Sequence, residues 1–141
     1  ASGGVTNFIV RGAAFSSGGV GVTIATDAWP SQPVIDVTDN LGVDRTIGAG
    51  ETAARVTVTV SARNTNQTVR CYVNGVERTL YAWAGGATPA GSIAPGGTTF
   101  TGFVNRADLG TLGSKEFRVV VINGIGVSPL SDGITVNLSS P

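Results

Sequence analysis

Residues 68–83, TVRCYVNGVERTLYAW, contain the turn that decides how this chain folds. Asn74-Gly75 lies between two runs in which apolar residues alternate with polar ones. Both residue types tolerate the positive φ of a type I′ hairpin turn. The segment therefore predicts two antiparallel strands, residues 68–73 and 76–83, joined by a two-residue loop.

The register of this hairpin follows from the position of its turn. With the loop centred between residues 74 and 75, Tyr72 lies opposite Glu77 and Cys71 lies opposite Arg78. Cys71 belongs to a row of apolar residues at alternate positions. We therefore expect it to be a small buried hydrophobe and not a reactive thiol.

The same period of two extends along most of the chain, and β-branched Val and Thr, which favour strands, dominate it. No stretch keeps the 3.6-residue period of an amphipathic helix without Gly or Pro. The pattern predicts an all-β protein with almost no helix. Candidate strands are residues 6–11, 19–24, 34–38, 55–62, 68–73, 76–83, 99–105, 117–122 and 133–138.

The composition excludes several kinds of chemistry. The 141 residues include no His, which rules out a Ser-His-Asp triad, and one Cys, which cannot form a Cys-rich zinc site. Nine basic residues balance nine acidic ones, so we expect no basic surface for nucleic acid. No apolar run approaches the ~20 residues that cross a bilayer. We expect a protein that is not an enzyme, holds no cofactor or metal, and binds neither nucleic acid nor membrane.

One acidic stretch offers an alternative to this reading. Asp36, Asp39, Asn40 and Asp44 carry oxygen atoms that could bind calcium. Their spacing does not match the D-x-[DN]-x-[DN]-G loop of a calcium site. A solvated turn near Asn40 is the favoured interpretation.

Two stretches interrupt the strand pattern. Residues 84–97, AGGATPAGSIAPGG, predict a long surface connection without a packed element of its own. Residues 1–31 are rich in Gly and Ser but hold two alternating runs, which predicts an extended arm that pairs with another surface. The chain thus divides into an arm, residues 1–31, and a core-forming domain, residues 32–141. Ala1-Ser2 fits both a chain that lost its initiator Met and one cleaved from a signal peptide.

The most specific motif lies near the C-terminus. Residues 117–131, FRVVVINGIGVSPLS, combine an aromatic-led strand, an Asn, a Gly turn and a Ser-Pro segment, and a closing strand follows. This motif resembles the last hairpin of fibronectin type III modules. The resemblance implies an immunoglobulin-like antiparallel β-sandwich with an extended N-terminal arm. Phe117 stands where that family usually has Tyr, and no Arg-Gly-Asp integrin motif occurs.

Modules of this kind occur on the virions of tailed bacteriophages, and the chain is similar to capsid decoration (cement) proteins in length, low-charge composition and N-terminal arm. That resemblance implies a structural protein of the virion that binds across capsomers and stabilises the phage head. Its partners would be the major capsid protein or another virion protein. Self-association is also expected, because open strand edges favour pairing.

The residues expected to bind these partners lie mainly on the alternating runs of the arm, which would add a strand to a neighbour. They are Phe8, Val10, Arg11, Val20, Val22, Ile24 and Trp29. The alternative function is a carbohydrate-binding or adhesin module of a phage tail or a secreted bacterial protein. There, Tyr81 and Trp83 would project from one face of a regular strand and stack on sugars.

Overall fold

A computed structural model describes residues 28–140, and nearly all of its regular structure is β-strand. One turn of 3-10 helix, Arg106–Leu109, is the only helical element in this range. The predicted all-β class is therefore confirmed. The strands are Val34–Asp39 (β1), Thr46–Ile47 (β2), Ala53–Thr59 (β3), Gln67–Val73 (β4), Val76–Arg78 (β5), Ser92–Ile93 (β6), Thr99–Asn105 (β7), Gly113–Ile122 (β8) and Ile134–Leu138 (β9).

The strands form two sheets. The small sheet is antiparallel, with strand order β1-β3-β7. The large sheet has the order β2-β9-β8-β4-β5, and β6 also pairs with β4. Its pairings are antiparallel except that of β2 with β9, which is parallel. The chain changes sheet between β1 and β2, β2 and β3, β3 and β4, β6 and β7, and β7 and β8, whereas β4, β5 and β6 stay in the large sheet, as do β8 and β9.

Both sheets contribute to one hydrophobic core. Val56 and Val58 of β3 and Val119 and Val121 of β8 are fully buried, because alternate residues of a strand point to the same face. Among residues 28–140, Phe117 is the largest fully buried side chain. Burying an apolar side chain of this size stabilises a fold by about 1.5–3 kcal/mol relative to leaving it exposed. The inward-facing Val residues of the alternating pattern thus supply much of the contact between the two sheets.

The Asn-Gly hairpin has the geometry that its sequence predicts. Asn74 has φ 49° and Gly75 has φ 84°, both in the left-handed region. Cys71 pairs with Arg78, and Tyr72 pairs with Glu77. The predicted register is therefore confirmed, and the row that contains Cys71 faces the core.

The second strand of this hairpin is shorter than predicted. It ends at Arg78 and does not continue to residue 83. Leu80 is buried, and Tyr81 exchanges backbone hydrogen bonds of 2.7 and 3.0 Å with Phe103 of β7. The chain thus leaves the large sheet for the edge of the small one, and the run of apolar residues does not mark this change of sheet.

Residues 84–97 also differ from the prediction. Within this connection, β6 pairs with the start of β4, and Ile93 is buried in the core. The expectation of no packed element was wrong here, because one Ile side chain and two ladder pairings are enough to fix the centre of the connection against the sheet.

Candidate functional site

The outer face of the large sheet carries an open groove of about 610 Å³ along β8. β8 points Val120 and Ile122 outward into it, because Val119 and Val121 take the inward positions of the same strand. The part of the groove floor formed by these two residues is therefore apolar, on the face that a two-layer protein normally leaves polar.

Strand β4 supplies one side of the groove. Tyr72 lies opposite Arg118 and Arg70 lies opposite Val120 in the β4–β8 register. Arg118 Nε lies 3.3 Å from a carboxylate oxygen of Glu116, and both side chains are substantially exposed. An exposed ion pair of this kind contributes little to stability. One end of the groove is therefore charged, and the end near Ile122 is apolar.

Residues 127–131 form the other side of the groove and run along the second half of β8. Val121 N–H donates to Ser128 Oγ and Val119 N–H donates to Ser131 Oγ, both at 2.9 Å. The backbone N–H groups of the two serines donate in return to the carbonyls of the same valines. The serine hydroxyls thus take the place of carbonyl acceptors that a regular strand would provide. Two half-exposed apolar side chains of this segment line the groove: Val127 and Leu130.

The end of the groove near Ile122 suits an apolar segment better than a small polar ligand. The β8 backbone groups beneath it already pair with β4 on one side and with residues 127–131 on the other. The backbone of the floor therefore offers few free hydrogen-bonding groups, and the polar side chains that line the groove lie beside Val120 or toward the start of β8: Arg70, Tyr72, Glu116 and Arg118. Apolar side chains from another segment would gain burial there.

The chain enters the described domain beside this groove. Asn123 Nδ2 donates to the Ala28 carbonyl at 2.8 Å, and Arg63 Nη2 donates to the Trp29 carbonyl at 2.8 Å. The Trp29 indole lies against Gly126, where a Cβ atom would overlap the ring. Trp29 as a whole residue is nevertheless 62% exposed. Trp29, a predicted partner-binding residue, is thus positioned at the Ile122 end of the groove and keeps most of its surface free.

The two residues of the predicted sugar platform are not on one regular strand. Tyr81 is half-buried and bridges Pro89 and Phe103, whereas Trp83 is 57% exposed and lies in the following bend. The Trp83 carbonyl accepts the N–H of Gly86 at 3.0 Å. The strand ends before both residues, so the period-two argument for a shared face does not apply.

The acidic stretch forms a turn held by its own carboxylate. Asp39 Oδ1 accepts the N–H groups of Leu41 and Val43, both at 2.9 Å. The N–H of Val43 is the main cause that lowers the pKa of the Asp39 carboxyl, and burial acts against it. Asp36 pairs with Arg45 instead, at 2.7 Å. Within residues 28–140, no three His, Cys, Asp or Glu side chains form a potential metal site.

Cys71 is fully buried in the core row of β4. Burial raises the pKa of its thiol to about 12. A thiol that is protonated and inaccessible is a poor nucleophile, which confirms the prediction that Cys71 is a packing residue.

Six predicted partner-binding residues lie outside the described part of the chain: Phe8, Val10, Arg11, Val20, Val22 and Ile24. Among residues 28–140, no helix is long and apolar enough to span a membrane. Comparison of the chain with protein-family models, curated proteins and solved structures found no match.

Four apolar groove residues are not among those predicted to bind a partner: Val120, Ile122, Val127 and Leu130. A signal for part of the groove was present in β8, where residues 119–122 read VVVI and are apolar at both odd and even positions. Such a run indicates a strand with apolar side chains on both faces. The other side of the groove required knowledge of how residues 127–131 fold back.

Proposed function

We propose that the two sheets form an immunoglobulin-like β-sandwich. The strand order supports this assignment, since β1-β3-β7 corresponds to strands A, B and E, and the neighbours β4, β8 and β9 correspond to strands C, F and G. The single core cluster shared by both sheets is also typical of a sandwich. In this arrangement the groove lies on the outer face of the CFG sheet.

The proposed function is that of a structural virion protein: a capsid decoration (cement) protein that binds the outside of a phage head across capsomers. The observation that carries the proposal is the apolar groove, which adjoins the point where residues 1–27 join the domain. Exposed apolar surface next to an alternating arm favours a protein that acts through contact area.

Further exposed apolar side chains extend the available contact surface. Leu112 and Val76 are more than half exposed near the start of β8, at the far end from Ile122. A domain with apolar contacts at both ends can touch two neighbours at once. Many copies on a lattice make modest affinity per copy sufficient. The zero formal net charge also limits repulsion between crowded copies.

The test has two steps: the genome that encodes this chain is searched for a major capsid protein gene, and the full chain is then mixed with particles assembled from that capsid protein. We expect the full chain to co-sediment at a fixed ratio to capsomers and to appear at their junctions in electron cryomicroscopy. The variant with Val20→Ser, Val22→Ser and Ile24→Ser should bind at least about tenfold more weakly. The matched control carries Gly21→Ser and Thr23→Ser, at positions of the opposite parity, and should bind as the wild type does.

Two results would count against this proposal. The absence of co-sedimentation at micromolar concentration would contradict the decoration function. Equal binding by the two arm variants would contradict the role of the arm while leaving the docking of the domain in place.

The second candidate function is that of a carbohydrate-binding or adhesin module. The exposure of Trp83 favours it, because an accessible indole face can stack on a sugar ring. It predicts glycan binding that Trp83→Ala abolishes and that Trp29→Ala leaves unchanged. A glycan array without a reproducible hit would contradict it.

A further inference from the structure

We propose that the groove binds a segment of a partner protein in which an acidic side chain stands two positions from an apolar one. The acidic side chain contacts Arg70, and the apolar one packs among Val120, Ile122 and Leu130. The inference rests on the proposed function, because it names the chemistry of the segment that a virion partner presents to the groove.

Among the residues that the structure describes, one cation of the groove is free to bind an anion. Arg70 is exposed on the outward row of β4, and within residues 28–140 its side chain forms no ion pair and no hydrogen bond. The second arginine of the groove, Arg118, contacts the Glu116 carboxylate at 3.3 Å and the Ser131 carbonyl at 3.0 Å. A guanidinium presents paired N–H donors that match the two oxygens of a carboxylate. Charge complementarity therefore favours an acidic side chain at Arg70.

Two acidic residues share the outer face of the large sheet with Arg70. Glu77 of β5 lies opposite Tyr72, and Glu116 lies further toward the start of β8. Neither carboxylate forms an ion pair with Arg70. A carboxylate that approaches Arg70 from the Ile122 side therefore meets no like charge from these two residues.

The strand register places Arg70 beside the apolar part of the floor. Arg70 lies opposite Val120, and opposed side chains of neighbouring strands have Cβ atoms about 4.5–5.5 Å apart. Ile122 follows two positions further along β8, about 7 Å away. Side chains two positions apart in an extended segment point to one side with this same spacing of about 7 Å. An acidic and an apolar residue at positions i and i+2, in either order, therefore match Arg70 and the floor.

The wall of the groove is in place before a partner binds. Ser128 and Ser131 hold residues 127–131 to β8 through their N–H and hydroxyl groups. Gln32 Nε2 donates to the Leu130 carbonyl at 2.8 Å and holds the wall from its other side. A preorganised site lowers the entropy that binding has to remove. Leu130 therefore offers its half-exposed side chain as a fixed contact.

Charge and apolar contact have separate roles in this site. An exposed ion pair contributes little affinity, because water and salt screen both charges. The apolar contacts therefore supply most of the affinity, and Arg70 selects among segments and sets their orientation. A small anion without an apolar part would gain little in the groove, so the occupant has to combine both kinds of side chain.

The test begins with the selection of peptides from a library of random dodecapeptides by the full chain. We expect about threefold enrichment of sequences with Asp or Glu two positions from Val, Ile, Leu or Phe. Selection by the variant Arg70→Gln should lose the acidic preference and keep the apolar one. The matched control is Arg45→Gln, because Arg45 is an exposed arginine outside the groove, and its selection should equal that of the wild type.

The second step compares the most enriched peptide with its version that has Gln in place of the acidic residue, by fluorescence anisotropy. The wild type should bind the acidic peptide about threefold more tightly, and Arg70→Gln should bind the two peptides equally. Leu130→Ser should weaken the binding of both peptides at least about fivefold. The matched control, Leu41→Ser, changes an exposed leucine outside the groove and should bind as the wild type does.

The fluorescence of Trp29 reports where the peptide binds. The chain has two tryptophans, so Trp83→Phe leaves Trp29, at the Ile122 end of the groove, as the only one. Its emission should shift to shorter wavelength at saturation, because apolar side chains replace water around the indole. In Trp29→Phe, which keeps Trp83, the emission should not shift.

Three results would overturn the inference. Selection without an acidic preference, or equal affinity of the wild type for both peptides, would remove the role of Arg70. A shift of Trp29 emission by decanoate and not by the selected peptide would assign the groove to a fatty acid. A concentration-dependent dimer that Leu130→Ser dissociates would assign it to a second copy of the chain.

The outcome of these measurements is independent of the capsid experiment. No capsid is present, so a failure of the decoration function shows only in co-sedimentation, and a failure of this inference shows only with the peptides. Each variant is first compared with the wild type by circular dichroism, so that misfolding is recognised.

Discussion

Replacing Ser131 by Ala tests how the wall of the groove is held to β8. Ser131 is 1% exposed, and its hydroxyl oxygen is the acceptor of the Val119 N–H at 2.9 Å. The substitution keeps the backbone hydrogen bond from Ser131 N–H to the Val119 carbonyl but leaves the Val119 N–H buried without a partner.

The expected loss follows from this single orphaned donor. A buried N–H without an acceptor costs about 1–3 kcal/mol, and the methyl group of Ala adds no clash in its place. We therefore expect the free energy of unfolding to fall by about 2 kcal/mol. Ser128→Ala removes the equivalent acceptor of Val121 and should cost about as much.

The assay is urea denaturation followed by tryptophan fluorescence, with the midpoint and the slope fitted separately. The matched control is Ser114→Ala, which lies on the same strand, is exposed and makes no side-chain hydrogen bond. It should change the free energy of unfolding by less than about 0.5 kcal/mol. A loss below that limit for Ser131→Ala would refute the argument that the serine hydroxyl replaces a strand partner.

Three further predictions concern one half-buried group, Arg106, and two buried ones, Asp39 and Cys71. Arg106 donates to four backbone carbonyls, those of Ile47, Gly48, Glu51 and Ser139, so Arg106→Lys should lower the free energy of unfolding by about 2 kcal/mol. Arg78 makes no such contacts, so Arg78→Lys should leave the free energy of unfolding unchanged. Equal losses for the two variants in urea denaturation would contradict this prediction. The pKa of Asp39 is lowered in the folded state, so its carboxylate stabilises the fold fully at a pH above the ordinary pKa of 3.8, and progressively less as the pH falls through the folded pKa. Asp39→Asn should therefore lose less stability between pH 7 and pH 3 than the wild type does. An unchanged pH dependence of the free energy of unfolding would contradict this role of Asp39. Burial raises the pKa of Cys71 to about 12, so Ellman's reagent at pH 8 should label the thiol only as fast as the protein unfolds. Complete labelling of the native protein within minutes would show that the thiol is accessible and would contradict this prediction.

Local patterns in the sequence were sufficient where the structure depends on neighbouring residues. The Asn74-Gly75 turn fixes its own geometry through positive φ, and with it the register of β4 and β5. The alternation in β8 likewise determines that Phe117 and Val119 face the core. These features need no information from distant parts of the chain.

The sequence was less informative where one segment can pair with a strand of either sheet. The residues after Arg78 are apolar and fit a continued strand, yet Tyr81 pairs with Phe103 of the other sheet. The choice depends on the position of Phe103 in β7, which is 22 residues from Tyr81 along the chain. The same reason explains why the pairing of β6 with β4 was not predicted.

The sequence by itself determined the all-β class, the central hairpin and the burial of Cys71, because side-chain period and turn chemistry act over a few residues. Only the tertiary structure decided that Val120, Ile122, Val127 and Leu130 form one groove and that Ala28 lies at its end. The physical reason is that the groove depends on the hydroxyls of Ser128 and Ser131 meeting the free edge of β8. That meeting is a contact between separate segments, and no periodicity along a single segment can specify it.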